Sequence, residues 1–173
     1  MTSHAQEADV AGPAASPGST THMTEYVLPT HANVLGNVFG GQIMAWLDLC
    51  AAICAQRHTH HTCVTVGIDD LSFEGPIRVG QVVRLVARVT ATFRSSLEIH
   101  VDATGEDAKS GRTWPCVSAY LTFVAVDGDG RPVPVPPLER DTAKARRELR
   151  DAEERRARRL ARRQRAHDSE HGG

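Results

Sequence analysis

No lysine or arginine precedes Arg57. A secretory signal needs a basic start ahead of its apolar run, and a mitochondrial presequence needs arginines, so the opening segment suits neither. Residues 1–22 are rich in Ala, Ser, Pro, Thr and Gly, the composition of a disordered leader. Long hydrophobic runs are missing too. The longest, Ile43 to Ala55, is broken by Asp48 and falls short of the ~20 residues that a membrane span needs. Cysteine is sparse: Cys50, Cys54, Cys63 and Cys116 have the spacing of neither a zinc site nor a small disulfide scaffold. Cys50 and Cys54 fall within the apolar run, where a free thiol behaves as a small buried hydrophobe. These absences point away from membranes and toward a reduced, cytoplasmic setting.

What is present suits one ordinary domain. The 173 residues are enough to bury a core without disulfides. Hydrophobic content is 40% and charged content 24%, both usual for globular chains. The net charge of −1 conceals an asymmetry: residues 139–165 carry twelve Lys+Arg against six Asp+Glu, so the body is acidic and the tail basic.

Hydrophobic periodicity orders the middle of the chain. Thr24–Pro29 reads as a first short strand, and Thr30–Val38 as a loop with Asn and Gly at turn positions. Phe39–Arg57 reads as one helix whose apolar residues cover every face, the pattern of a helix buried all round. Four strands follow: Thr62–Phe73, Val82–Thr92, Ser96–Thr104 and Cys116–Val126. The middle two alternate strictly, with Leu97, Ile99, Val101 and Ala103 set against Glu98, His100 and Asp102. The last is apolar on both faces at several positions, as in a strand covered on both sides. Pro115 lacks an N–H and is expected at a strand start or an edge. The order predicts an antiparallel sheet curled around one long central helix, an α+β fold. Such a helix cannot also cover the far side of the sheet, so association is expected. Residues 140–165 form a charged helix without Pro or Gly, whose only leucines are Leu149 and Leu160. With no apolar stripe, this tail is expected neither to dock on the body nor to pair as a coiled coil. The division is therefore 1–22 leader, 23–137 body and 138–173 tail.

Asp48 is the sharpest chemical signal. It is the sole charge between Phe39 and Gln56, in the middle of a helix read as buried. A buried carboxylate costs several kcal/mol unless it is partnered, so Asp48 either caps or pairs structurally, or it acts as a general base or nucleophile in a cleft. Gly40 and Gly41, with Gln42, open the helix, where free N–H groups favour negative charge and glycine admits a ligand close to the backbone. Asn33 lies in the preceding loop, where by itself it reads as an Asx-turn residue. His58, His60, His61 and Cys63 straddle a helix end without metal-ligand spacing, so no metal site is expected.

The run Pro29–Asp48 (PTHANVLGNVFGGQIMAWLD) resembles the signature of hotdog-fold acyl-CoA thioesterases, the cytosolic acyl-CoA hydrolases and their short bacterial relatives. VTVGIDDLSFEGPIRVG (Val64–Gly80), RSSLEI (Arg94–Ile99) and AYLTFVAVD (Ala119–Asp127) match in the same order, so the likeness covers about residues 24–136. It implies a hotdog fold and acyl-CoA hydrolysis. Asp48 would be the catalytic acid on the central helix and Asn33 the second catalytic residue. The backbone near Gly41 would polarise the thioester carbonyl, and Arg94, Ser95 and Ser96 would lie near the coenzyme A moiety. The resemblance implies no cofactor beyond the coenzyme A carried by substrate and product. Gly41 and Asp48 are roughly 10 Å apart along a helix, which suits a site shared between two chains, in a homodimer or a trimer of dimers. Two rivals stand beside this reading. One is a hotdog hydratase or dehydratase, which would want a His that the central helix lacks. The other is a non-catalytic oligomer whose basic tail contacts RNA or anionic surfaces, against which the tail's interleaved Glu and lack of aromatics count.

Overall fold

The alternation along the chain becomes an antiparallel sheet wrapped around one helix, the hotdog arrangement. The computed structural model describes residues 20–139 and 142–171. In chain order the elements are β1 (Thr20–Tyr26), a 3-10 turn (Pro29–His31), α1 (Gly40–Thr59), β2 (Thr62–Phe73), β3 (Val82–Thr92), β4 (Ser96–Asp107), β5 (Arg112–Val126) and α2 (Ala143–His171). The five strands lie in the order β1-β3-β4-β5-β2, antiparallel at every pairing. The core fills the concave side: Leu47, Val83, Leu85, Leu97, Ile99, Leu121 and Phe123 are all essentially excluded from water. Cys50 and Cys54 belong to it, and burial pushes both thiols up to about 11.

Boundaries differ from the sequence reading in instructive places. The first strand begins at Thr20 and ends at Tyr26, so the last three residues of the expected leader are strand; residues 1–19 lie outside the described residues. The charged, Gly-containing stretch 105–112, left between the expected strands Ser96–Thr104 and Cys116–Val126, is half ladder and half turn. β4 runs to Asp107 and β5 starts at Arg112. The turn between them is closed by the Asp107 carboxylate, which accepts from the N–H groups of Lys109 (3.0 Å) and Ser110 (3.2 Å). Pro115 sits inside β5 rather than at its start, opposite a register shift between Ala103 and Thr104, a bulge being another place where a missing N–H is tolerated.

α1 is not buried all round within one chain. Ile43, Trp46, Leu47, Cys50, Ala51, Cys54 and Ala55 face the sheet. Met44 and Leu49 are 38% and 51% exposed, and Ala45 is open as well. β2 beside it is an edge strand, with Val64 44% and Phe73 54% exposed. The apolar surface left open is thus a strip along α1 and β2.

The far side of the sheet, expected to need a partner, is covered in part by α2 of the same chain. That tail docks after all, by ions and not by an apolar stripe. Glu148, Ala152, Arg155, Arg159 and Arg162 recur at helical spacing on one face. Glu148 takes a hydrogen bond from Arg88 at 2.7 Å, and Ala152 is fully buried. Arg155 donates twice to the Glu98 carboxylate, at 2.9 and 2.8 Å, and lies 3.6 Å over the Tyr120 ring. Arg159 and Arg162 (2.7 Å) both hold Asp69. Leu160, by contrast, is 47% exposed.

His100 lies in this covered layer. Its Nε2 meets Ser118 Oγ at 2.9 Å, and Arg88 approaches its Nδ1 at 3.3 Å. Burial above all, with Arg88 and Arg155 adding to it and Asp102 opposing, holds its pKa below 6.5. The folded chain therefore keeps His100 neutral where the unfolded chain would protonate it, so stability is lost as pH falls through the window below 6.5. Thermal unfolding should move to lower temperature across that window, and His100→Gln should flatten the slope. An unchanged slope in that variant would show that His100 does not set it.

Candidate functional site

The loop before α1 is built around one side chain. The Asn33 amide oxygen accepts from the backbone N–H of Leu35 (2.9 Å) and Asn37 (3.2 Å), and Asn33 N donates to Asn37 O (2.7 Å). The Asx-turn accounts for its oxygen and leaves the amide NH2 as the group a ligand can meet. Gly36 at φ 75° closes the turn. Val38 N then bonds Ile77 O (2.8 Å), tying the loop to the segment after β2. A cavity of about 340 Å³ opens there, with Asn33, Gly40 and Glu74 at its polar side and Ile43, Phe73 and Val117 as apolar wall.

Gly40 and Gly41 head α1 directly after the cap Phe39, and the first helical hydrogen bonds are those of Gln42 and Ile43 to Phe39 O. The N–H groups ahead of them have no acceptor within the helix. A Cβ on Gly41 would come within 2.5 Å of the Phe39 ring. Gln42 is half-buried beside them.

Asp48 lies further down α1 on the open strip, half-buried, and it does not line the cavity. Its carboxylate accepts a 2.6 Å hydrogen bond from the Thr65 hydroxyl on β2. Thr65 is the residue that the sequence reading passed over. It lies two residues after Cys63 on β2, and only the curl of the sheet around α1 brings its hydroxyl to Asp48. The structure brings together Asn33, Gly40 and the cavity, and separately Asp48 and Thr65.

Arg94, Ser95 and Ser96 do not join either group within one chain. Arg94 and Ser95 form the β3–β4 turn and Ser96 opens β4, with Phe93 N bonding Ser96 O (2.8 Å). That turn closes the far end of β3, eleven residues from Val82, roughly 30 Å from the end that meets the Asn33 loop. At the end of α1, His58 Nε2 lies 3.0 Å from Pro136 O, far away in sequence, and Cys63 Sγ lies 3.2 Å from Thr59 Oγ1.

The family model described as the thioesterase superfamily matches residues 35–111. An uncharacterized acyl-CoA thioester hydrolase of Zymomonas mobilis is 37% identical over 111 residues, which are 64% of this chain and 74% of that protein. Acyl-coenzyme A thioesterase 11 of Mus musculus is 41% identical over 103 residues, 60% of this chain; the matched segment spans only 17% of that relative's length. Among solved structures, an acyl-CoA hydrolase of Staphylococcus aureus in complex with butyryl coenzyme A, coenzyme A and coenzyme A disulfide superposes with a TM-score of 0.79 at 32% identity, covering 88% of this chain and 93% of that one. Further structures of that protein carry alanine in place of one Asn, one Asp and one Thr, at positions separated by 15 and 17 residues. A hexameric acyl-CoA thioesterase without ligand superposes with a TM-score of 0.79 at 36% identity, over 84% of this chain and 93% of that one.

Proposed function

The chain belongs to the acyl-CoA thioester hydrolases of the thioesterase superfamily, and from that premise we propose that it cleaves acyl-CoA with water into a carboxylate and free coenzyme A, at a site shared by two copies of the chain. The observation that carries this reading is the separation of the machinery. A carboxylate held by a hydroxyl, Asp48 with Thr65, lies on an open apolar strip, while Asn33 and the helix start lie elsewhere on the same chain. A second copy set against the strip would bring its Asn33 and its Gly40–Gly41 to this chain's Asp48.

The chemistry then follows from the groups. The Asn33 amide NH2 orients the attacking water or the thioester oxygen. The N–H groups at Gly40 and Gly41 stabilise the oxyanion, usually the largest contribution in acyl transfer. Asp48 either takes a proton from water or adds to the carbonyl itself, and the leaving thiolate departs as coenzyme A. Water is the only co-reactant, so neither a metal nor a redox cofactor is required. The residues altered to alanine in the Staphylococcus aureus protein support the assignment, because Asn33, Asp48 and Thr65 have the same two separations, the second of them 17. Gln42, and Arg94 to Ser96 contributed by another chain, would complete substrate binding.

Self-association has its own support. Edge strand β2 and the exposed side of α1 present Met44, Leu49, Val64 and Phe73 together, an isologous apolar surface of the kind that closes dimers. The hexameric relative favours a trimer of such dimers. The reading of a basic tail free to bind RNA loses ground, since Arg155, Arg158, Arg159, Arg162 and Arg163 are all turned to the body.

Mixing tests the shared site. Homomers of Asn33→Ala and of Asp48→Ala should both be inactive in a thiol-release assay on acyl-CoA. Unfolded and refolded together in equal amounts, they should regain about a quarter of wild-type activity, because half the dimers then hold one intact site. Mixed dimers that form and stay as inactive as either parent would put the site within one chain.

A further inference from the structure

Asn33 stands near the tip of a miniature hairpin, and the root of that hairpin is His31. Asn33 N donates to Asn37 O (2.7 Å), Ala32 bridges Val38, and Phe39 N donates to His31 O (3.1 Å). The hairpin leads straight into α1. Phe39 is the helix cap, and its carbonyl takes the first helical bonds, from Gln42 and Ile43. The Asn33 amide and the free N–H groups at Gly40 and Gly41 therefore share one support, the backbone of His31. The side chain of His31 fixes that support in two directions. Its Nδ1 accepts from Leu28 N at 3.2 Å, while His31 N donates to Leu28 O at 3.0 Å, so the two residues close the 3-10 turn reciprocally. In a capping box this place is ordinarily filled by Glu or Gln, whose side chain reaches back three residues to the first N–H. Imidazole does the same here and adds a second contact. Its ring stands edge-on to that of Trp46, with centroids 5.0 Å apart and planes at 89°. Trp46 is buried in the core on the sheet-facing side of α1. One side chain thus ties the turn ahead of the loop to the body of the helix that follows it. The tip offers no such tie: Val34 and Leu35 are exposed, and the Asn33 oxygen is taken up within the loop.

We propose that His31 is a positioning residue for the acyl transfer: by accepting from Leu28 N it holds the Asn33 amide and the head of α1 fixed relative to each other. It acts through those groups and touches no reacting atom. The contact with Trp46 aims the ring, and Nδ1 supplies the hold. Acyl transfer is sensitive to such a support, because a displacement of about 1 Å in a positioning group can cost about a hundredfold in rate. The inference rests on the proposed hydrolysis for its function, and on the hairpin's own hydrogen bonds for its mechanics.

Two substitutions in the full chain, in its native assembly, separate the hold from the ring. His31→Phe keeps a ring against Trp46 and removes the acceptor. His31→Gln removes the ring and returns an acceptor where capping boxes use one. Both are assayed by thiol release well below their melting temperatures. His31→Phe should lower kcat about tenfold or more with little change in KM for acyl-CoA, and His31→Gln should recover most of the loss. Amide hydrogen exchange gives a second readout that needs no turnover. The N–H groups of Asn33 and Phe39 should exchange about tenfold faster in His31→Phe, and near the parent rate in His31→Gln. An unchanged kcat in His31→Phe overturns the role, whatever the exchange rates. So does a kcat that falls only in step with the folded fraction, which would leave His31 a residue of the fold alone. A loss that His31→Gln fails to restore overturns the bond to Leu28 N as the hold. Faster exchange that His31→Gln restores, in a protein that hydrolyses no acyl-CoA, supports the brace and sinks the proposed activity alone. Hydrolysis at the parent kcat with unchanged exchange overturns the brace and leaves the activity standing.

Discussion

Asp48→Ala is expected to lower kcat for acyl-CoA hydrolysis by about a thousandfold, within the range of 10²–10⁴ that a positioned base contributes, while the melting temperature stays close to that of the parent. The two halves of this expectation have separate grounds. Asp48 lies on the open side of α1, so truncation leaves no sealed cavity, and alanine is the better helix former there. Among the described residues, the hydrogen bond given up is the one from Thr65, whose hydroxyl is exposed enough to turn to water. Loss of rate without loss of stability separates a catalytic carboxylate from one that braces the fold. A folded variant that released thiol at the parent rate would remove Asp48 from the chemistry and reopen the dehydratase reading.

Arg155→Met should have the largest effect on stability, a loss of about 3–5 kcal/mol in chemical denaturation, as for other buried pairs deprived of one partner. Glu98 is 1% exposed, and with Arg155 removed only the Thr90 hydroxyl, at 2.8 Å, remains on its carboxylate among the described residues. The substitution strands a charge beneath a helix that still covers it. Changing Glu98 and Arg155 together to apolar residues of similar size should restore much of the loss. Removing α2 outright, by truncation after Leu138, should destabilise the body less than Arg155→Met, because water then reaches Glu98 and Asp69. A single substitution that costs no more than the truncation would show that α2 lifts away at little expense.

The elements that were legible in the sequence are those governed by a local rule. β3 begins and ends where alternation puts it, β2 spans the expected Thr62–Phe73, and α1 runs Gly40–Thr59 against an expected Phe39–Arg57. The residues around 105–112 misled because Gly, Lys, Ser and acidic residues are turn formers by composition. A hairpin that extends beyond the core needs no hydrophobic alternation to keep its ladder. The tail misled for a related reason. Docking is ordinarily read from an apolar stripe, and here the stripe is arginine. Its counterparts, Glu98 on β4 and Asp69 on β2, are far away in sequence and adjacent only once the sheet order is known. At the site, the isolation of Asp48 and the two glycines could be read directly. Thr65 could not, because its meaning depends on the face of β2 that meets α1. Nor could the grouping of the residues, since Asn33 and Asp48 belong to one signature but stand apart in one chain.

All four cysteines are reduced and buried, and Cys50 and Cys54 ionise only near 11. A reaction that liberates a thiol surrounds its catalyst with a nucleophile and, in air, with the disulfides that form from it. Exchange requires a thiolate within reach, and near neutral pH Cys50 and Cys54 present about one part in ten thousand at most, behind packed side chains. With Cys63 and Cys116 buried as well, the folded protein should be a quiet background for the aromatic disulfides used to count thiols, and coenzyme A released by the proposed hydrolysis should accumulate without being captured as a mixed disulfide. The same reagent would register the chain's own sulfur only when the core opens, so one dye reads turnover while the protein holds and its collapse when it fails.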